Sequence, residues 1–115
     1  MDTETAQAQE LKGYCTRVLA AKEGGCTFYL LEGLNLPQGC TPCSVDALLC
    51  PSQRDGYPSR LYFAERIQCR FERNWNTLGV LILGRQWNAF SWKVDPAGLS
   101  LVRLLNAHLQ GFTRC

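Results

Sequence analysis

With 115 residues, the chain is the size of one ordinary domain and too short for two independent cores. An apolar fraction of 46% and a charged fraction of 19% exclude a disordered tail or a repeat array. A formal charge of +2 is too small to imply nucleic-acid binding by itself. No window of roughly 18 uncharged apolar residues occurs, so no membrane-spanning helix is expected. The start, MDTETAQAQELKG, is acidic and polar where a secretory signal is basic and then apolar, and the expected location is the cytoplasm. In that reducing setting the seven cysteines are expected as free thiols acting as small buried hydrophobes.

Along the chain, Leu11, Tyr14, Cys15, Val18 and Leu19 recur with the spacing of one helical face, which predicts a helix from about Thr5 to Lys22. Gly24 and Gly25 read as its stop. A β-rich run begins at Cys26, and the turn-like NLPQGCTPC separates it from SVDALLCP, where Val45, Ala47 and Leu49 alternate with Asp46 as a strand requires. YPSRLYFAERI reads as a third strand, with Leu61, Phe63 and Ile67 on one face and Arg60, Tyr62 and Arg66 on the other. GVLILG is a short apolar run between glycines and reads as a buried extended segment. The last helix is expected to start at Asp95 as cap with Pro96 as its first residue, and to carry Leu99, Val102, Leu105 and Leu109 inward as far as Gly111. The expected fold is therefore α+β: an N-terminal helix, a four-stranded antiparallel meander sheet and a C-terminal helix, in a single domain over 1–115.

Few residues carry chemistry. Cys40 and Cys43 form C-x-x-C, but no second pair at matching spacing completes a zinc site, and the strand that follows gives no helix N-terminus for a redox pair. They read as loop thiols, and neither a metal nor another cofactor is expected. His108 is the single histidine, placed on the last helix, and it reads as a surface side chain near the helix C-terminus. Cys69 stands among Arg66, Arg70 and Arg73, charges that favour a thiolate, with Asn74 and Asn76 close enough in sequence to serve an oxyanion. The competing reading of Cys69 is a strand-end residue facing the core. Between Arg54 and Arg85 six arginines stand against Asp55, Glu65 and Glu72, either as a solvated face or as a surface for an acidic protein. Trp75, Trp87 and Trp92 with Phe90 either plug a small core or present anchors to a partner.

The order of elements, read with Tyr57-Pro58, YFAERI, NTLGVLILGRQW and DPAGLSLVRLLNAHL, resembles the ubiquitin-conjugating-enzyme-like superfamily over about residues 8 to 111. EGLNLPQGCTPCSVDALLCPSQRDGYP and WNAFSW are similar to its bacterial branch, the prokaryotic family E proteins. That resemblance implies a ubiquitin-like modification system of anti-phage defence, with a ubiquitin-like modifier, an adenylating activating enzyme and a sister conjugating subunit as partners. It also implies a thioester-forming cysteine in the extended segment before Trp87. The corresponding position is Gly79, and the histidine of the family's tryptophan-rich stretch is replaced at Trp92-Lys93. The expectation is thus a non-catalytic member that binds the modifier, the activating enzyme or the sister subunit, with Tyr57, Arg85, Trp87 and Trp92 as contacts and with neither nucleic acid nor membrane as partner. The alternatives are an active conjugating enzyme that uses Cys69, and an α+β interaction subunit unrelated to modifiers.

Overall fold

The computed structural model describes residues 3–113; Met1, Asp2, Arg114 and Cys115 lie outside the described residues. In chain order it contains α1 (Thr3–Glu10), a 3-10 turn (Leu11–Gly13), β1 (Arg17–Glu23), β2 (Cys26–Asn35), β3 (Ser44–Cys50), β4 (Arg60–Phe63), β5 (Thr77–Ile82), β6 (Arg85–Ala89), α2 (Leu101–Leu109) and a closing 3-10 turn (Gln110–Phe112). Every strand pair is antiparallel, in the order β1-β2-β3-β4-β6-β5. The four-stranded sheet flanked by a long first helix is therefore corrected. The class is α+β, but the sheet has six strands and the helices span only 8 and 9 residues.

The first correction has a local cause. Gly24 and Gly25 do not stop a helix; with φ of +58° and +79° they make a two-residue turn that pairs Glu23 with Cys26. A turn of this kind needs positive φ at both central residues, which glycine supplies without steric cost. The pairing it starts draws Arg17–Glu23 into a strand, so tertiary pairing overrides a helix-like spacing. Leu11 and Cys15 are buried where helix and strand meet, whereas Leu19 lies on β1 and is 38% exposed. The same turn geometry recurs at Asp55-Gly56, across which Arg54 and Tyr57 exchange backbone hydrogen bonds of 2.9 Å each way, and at Leu83-Gly84, which sets Ile82 opposite Arg85. The last of these turns ends the apolar run GVLILG, whose first four residues lie in β5, and returns the chain as β6.

The sheet has a core on each face. On one, Tyr29, Leu31, Leu34, Val45, Ala47, Leu49, Leu61 and Phe63 pack against Leu101, Leu104, Leu105, Leu109 and Phe112 of the C-terminal helical segment. Stacked and edge-on contacts among Phe63, Trp75, Phe90 and Phe112, with centroids 5.1–6.0 Å apart, close its end. On the other face Phe28, Leu48, Cys50 and Tyr62 meet Ile82, Trp87 and Ala89. Phe28 is on β2 and Ile82 on β5, near opposite edges of the strand order, so the sheet must curl to bring them together. The Leu83 backbone N–H accordingly donates to the Glu23 carboxylate at 3.1 Å, tying the tip of the last hairpin to the tip of the first. Curling of this kind extends the right-handed twist of a sheet and lets it cover its own second face.

The C-terminal helix also begins later than expected. Asp95 accepts the Ala97 N–H at 3.0 Å within a separate turn, Gly98 takes φ +74°, and the cap is Ser100, whose hydroxyl accepts from the Arg103 N–H at 3.3 Å. Gln7 of α1 adds its side-chain oxygen as acceptor for the Leu101 N–H at 3.0 Å, so the two helices share that terminus. None of the helices among the described residues is long and apolar enough to cross a membrane.

Candidate functional site

Strand β4 stops at Phe63 because the chain then leaves the sheet. The Ala64 N–H makes its bond to the Asp46 carbonyl (2.9 Å), and residues 65–76 run irregularly to β5. One contact holds this segment to the β2–β3 loop: Thr41 and Gln68 exchange backbone hydrogen bonds of 2.8 and 2.9 Å. Between them opens a groove of about 910 Å³ lined by Thr41, Pro42, Glu65, Arg66, Ile67, Gln68, Cys69, Phe71, Glu72, Arg73 and Trp75. Glu65 and Glu72 offset Arg66 and Arg73 in that lining, so the groove itself carries no excess of either sign.

Cys69 lines this groove from the irregular segment, six residues past the end of β4, and is half-buried against the core. Its Sγ donates to the Phe71 carbonyl at 2.8 Å. A carbonyl accepts the hydrogen bond but cannot carry the proton away as a general base does. Two of the three arginines counted around it have other contacts: Arg70 and Arg73 lie over the Phe71 ring at 5.6 and 5.4 Å, and Arg73 over Trp92 at 5.8 Å. Asn76 is spoken for as well, since it binds Tyr57 and Arg60.

That second cluster is a buried polar network the sequence reading missed. Arg60 is 2% exposed, not a member of a solvated face. Its guanidinium donates to Thr77 Oγ1 (3.1 Å), Asn76 Oδ1 (2.8 Å) and the Phe90 carbonyl (3.3 Å), and stacks over the Tyr57 ring at 3.9 Å. A buried cation persists only when several acceptors and a ring face replace its water. The Tyr57 hydroxyl donates to Ser91 Oγ (3.1 Å) and accepts from Asn76 Nδ2 (2.5 Å). The Ser91 bond, followed by Asn76 and the charges of Arg60 and Lys93, holds the Tyr57 phenol below its usual range against the opposing effect of burial.

His108 is 3% exposed, which corrects its placement as a surface residue. It lies on the inner face of α2 with Nε2 2.9 Å from Ser59 Oγ, and Ser59 donates its single proton to the Val94 carbonyl at 2.6 Å. The hydroxyl therefore accepts from His108, which fixes the neutral tautomer with the proton on Nε2. A catalytic pair needs the reverse, with the imidazole accepting the serine proton. Ser59 is also fully buried, so this pair is architectural.

The expected partner contacts separate. Trp87 is 1% exposed, donates to the Ile82 carbonyl at 3.0 Å and plugs the second core. Tyr57 is buried in the Arg60 network. Trp92 is half-buried, with its indole N–H on the Ala107 carbonyl at 3.1 Å. Arg85 reaches the surface, paired with Asp46 at 3.2 Å and lying over the Trp87 ring at 4.7 Å. The most exposed large apolar side chains among the described residues are ones the sequence reading assigned to the interior or left unassigned: Leu78 is 59% and Leu81 is 67% exposed. Both lie on β5, an edge of the sheet. Alternation within LGVLI was the available signal, for Leu81 faces out while Ile82 faces in.

Cys40 is buried and Cys43 exposed, both free, and among the described residues no cluster of metal-ligating side chains forms. Comparison with protein-family models, with curated proteins and with solved structures gives no match.

Proposed function

We propose that this chain is a binding subunit of a bacterial ubiquitin-like modification system, held in the cytoplasm, and that it presents its β5 edge to the ubiquitin-like modifier. The observation that carries the reading is the chemistry of that edge. Thr77–Ile82 contains no charged residue, and it offers the two most exposed large apolar side chains among the described residues. The opposite edge, β1, carries Arg17, Lys22 and Glu23, the usual protection of a strand that is to remain unpaired. The β5 edge carries a bulge between Thr77 and Val80 but no charge, and it suits a partner's apolar patch docking on Leu78 and Leu81. Arg85, across the hairpin from Ile82, adds a charge at the rim. The modifier and the setting in anti-phage defence come from the motif resemblance, which also names the activating enzyme and a sister conjugating subunit as possible neighbours in the assembly.

Calorimetric titration of the chain with the modifier and activating enzyme of its own gene neighbourhood tests this. Binding abolished by Leu78→Lys with Leu81→Lys, in a variant of unchanged stability, is the expected result; absence of heat with every one of these partners would sink the proposal. A second reading is favoured by the position of Cys69 in the groove: it would accept the modifier as a thioester and pass it to an amine. Intact mass after incubation with modifier, activating enzyme and ATP separates the two. A reductant-sensitive adduct that disappears in Cys69→Ser would make the chain a transfer enzyme.

A further inference from the structure

The paired hydrogen bonds between Thr41 and Gln68 define a hydrogen-bonded antiparallel pair. The bridge is isolated, but counted outward from it in the antiparallel sense Cys40 stands opposite Cys69, the kind of position at which a continued ladder brings Cα atoms to roughly 4.5 Å. A disulfide spans Cα separations of about 4.4–6.8 Å. Both thiols are free, they belong to one packed cluster, and they are close enough for Cys69 to help push the Cys40 thiol up, after burial.

We propose that Cys40 and Cys69 form a reversible intramolecular disulfide, a thiol-oxidation site that staples the β2–β3 loop to the groove segment. The oxidant is a low-molecular-weight disulfide. Cys69, the half-exposed member on the groove wall, loses its proton to solvent and attacks one sulfur of the oxidant. One thiol of the oxidant leaves, and a mixed disulfide remains on Cys69. Cys40, buried and with its thiol pushed up, acts second: its thiolate attacks Cys69 Sγ and expels the other thiol. Two cysteine thiols are oxidised, one disulfide is reduced to two thiols, and the protons released by the cysteines are taken up by the leaving thiolates. The staple crosses the end of the groove marked by Thr41 and Gln68, so oxidation changes the surface that Cys69 lines. The inference is independent of which partner the β5 edge takes.

The full chain is equilibrated with mixtures of oxidised and reduced glutathione, quenched with an alkylating reagent, digested and mapped by mass spectrometry. The expected result is loss of two alkylatable thiols, with the short tryptic peptide Ile67–Arg70 linked to the peptide that contains Cys40, and full reversal by dithiothreitol. That second peptide also contains Cys26, Cys43 and Cys50, so variants decide the partner. Cys40→Ser should leave one glutathione trapped on Cys69, and Cys43→Ser should leave the bridge intact; Cys40→Ala replaces Cys40→Ser should the buried hydroxyl prevent folding. A bridge that survives loss of Cys40, a wild-type chain that stops at the mixed disulfide, or an unreacted Cys69 would each overturn the proposal.

Discussion

Acidification should weaken this protein through one residue. Burial, with the positive charge of Arg60 adding to it, holds the His108 imidazole down at about 4, against an ordinary value of 6.5. As pH falls, the unfolded chain takes up this proton first, near 6.5, while the folded chain resists until about 4. Stability is therefore full above the unfolded value, declines between the two, and stops declining once the folded state also binds the proton. Over that window the loss is about 3 kcal/mol, a large share of the 5–15 kcal/mol typical of a domain. Denaturant unfolding of the wild type from pH 7 to pH 4 measures the total, and the same series on His108→Gln removes the contribution of carboxylates. Glutamine does not titrate and has an N–H with which to donate to Ser59, so the variant should lose about 3 kcal/mol less than wild type over the interval. Parallel stability curves for the two proteins would refute the reasoning, as would an NMR titration that puts the folded imidazole near 6.5.

Other predictions follow from the packing. Trp87→Ala should cost about 3–5 kcal/mol by emptying the second core, whereas Arg85→Ala beside it should cost less than about 1 kcal/mol, since the Arg85–Asp46 pair is solvent-exposed; chemical denaturation of both separates a core tryptophan from a contact tryptophan. A Cβ at Gly111 would stand 2.7 Å from Phe90 Cε2, so Gly111→Ala should lower the denaturation midpoint by the equivalent of about 1–3 kcal/mol. Arg60→Lys cannot reproduce the three-way donation to Thr77, Asn76 and Phe90, and a loss of about 2 kcal/mol or more is expected from the acceptors left unmatched. Leu78→Lys with Leu81→Lys should change stability by less than about 0.5 kcal/mol per site, and calorimetry should show the loss falling on binding instead.

What the sequence made legible was mostly local. The alternation of Val45, Ala47 and Leu49 named a strand and its inward face, and that face is the one the C-terminal helix covers. The existence of the final helix was readable, but only Leu105 and Leu109 of its expected inward residues are buried; Leu99 precedes the helix, Val102 is half-buried, and Leu101, Leu104 and His108 complete the inner face. Failures came where two structures share one pattern. A stripe from Leu11 to Leu19 fits a helical face, but the pairing of β1 with β2, a contact between segments, decided the outcome. The burial of Arg60 and His108 was illegible for the same reason. Each is held by acceptors and donors from elsewhere in the chain, Asn76, Phe90 and Ser59, and residue type alone predicts a surface position for both.

The backbone at Gly79 bears on what β5 can carry. Under the reading proposed above, the position at which a thiol is expected falls on Gly79 of β5. Gly79 has φ +71° and donates its N–H to Asn88 Oδ1 at 3.0 Å across the hairpin. It sits within the register shift between Thr77 and Val80. A cysteine there would carry a Cβ in a backbone conformation that L side chains rarely adopt. The hairpin also has a structural duty, since Ile82 and Trp87 seal the second core and Leu83 reaches Glu23. With its inner face committed to the core, the segment exposes Leu78 and Leu81 on its outer face. Placing a thiol there by Gly79→Cys should strain the bulge and lower stability by about 1 kcal/mol or more. Thermal denaturation of Gly79→Cys beside Gly79→Ala checks this: equal losses place the cost in the backbone, and stability at the wild-type level in both would show that the bulge does not require glycine.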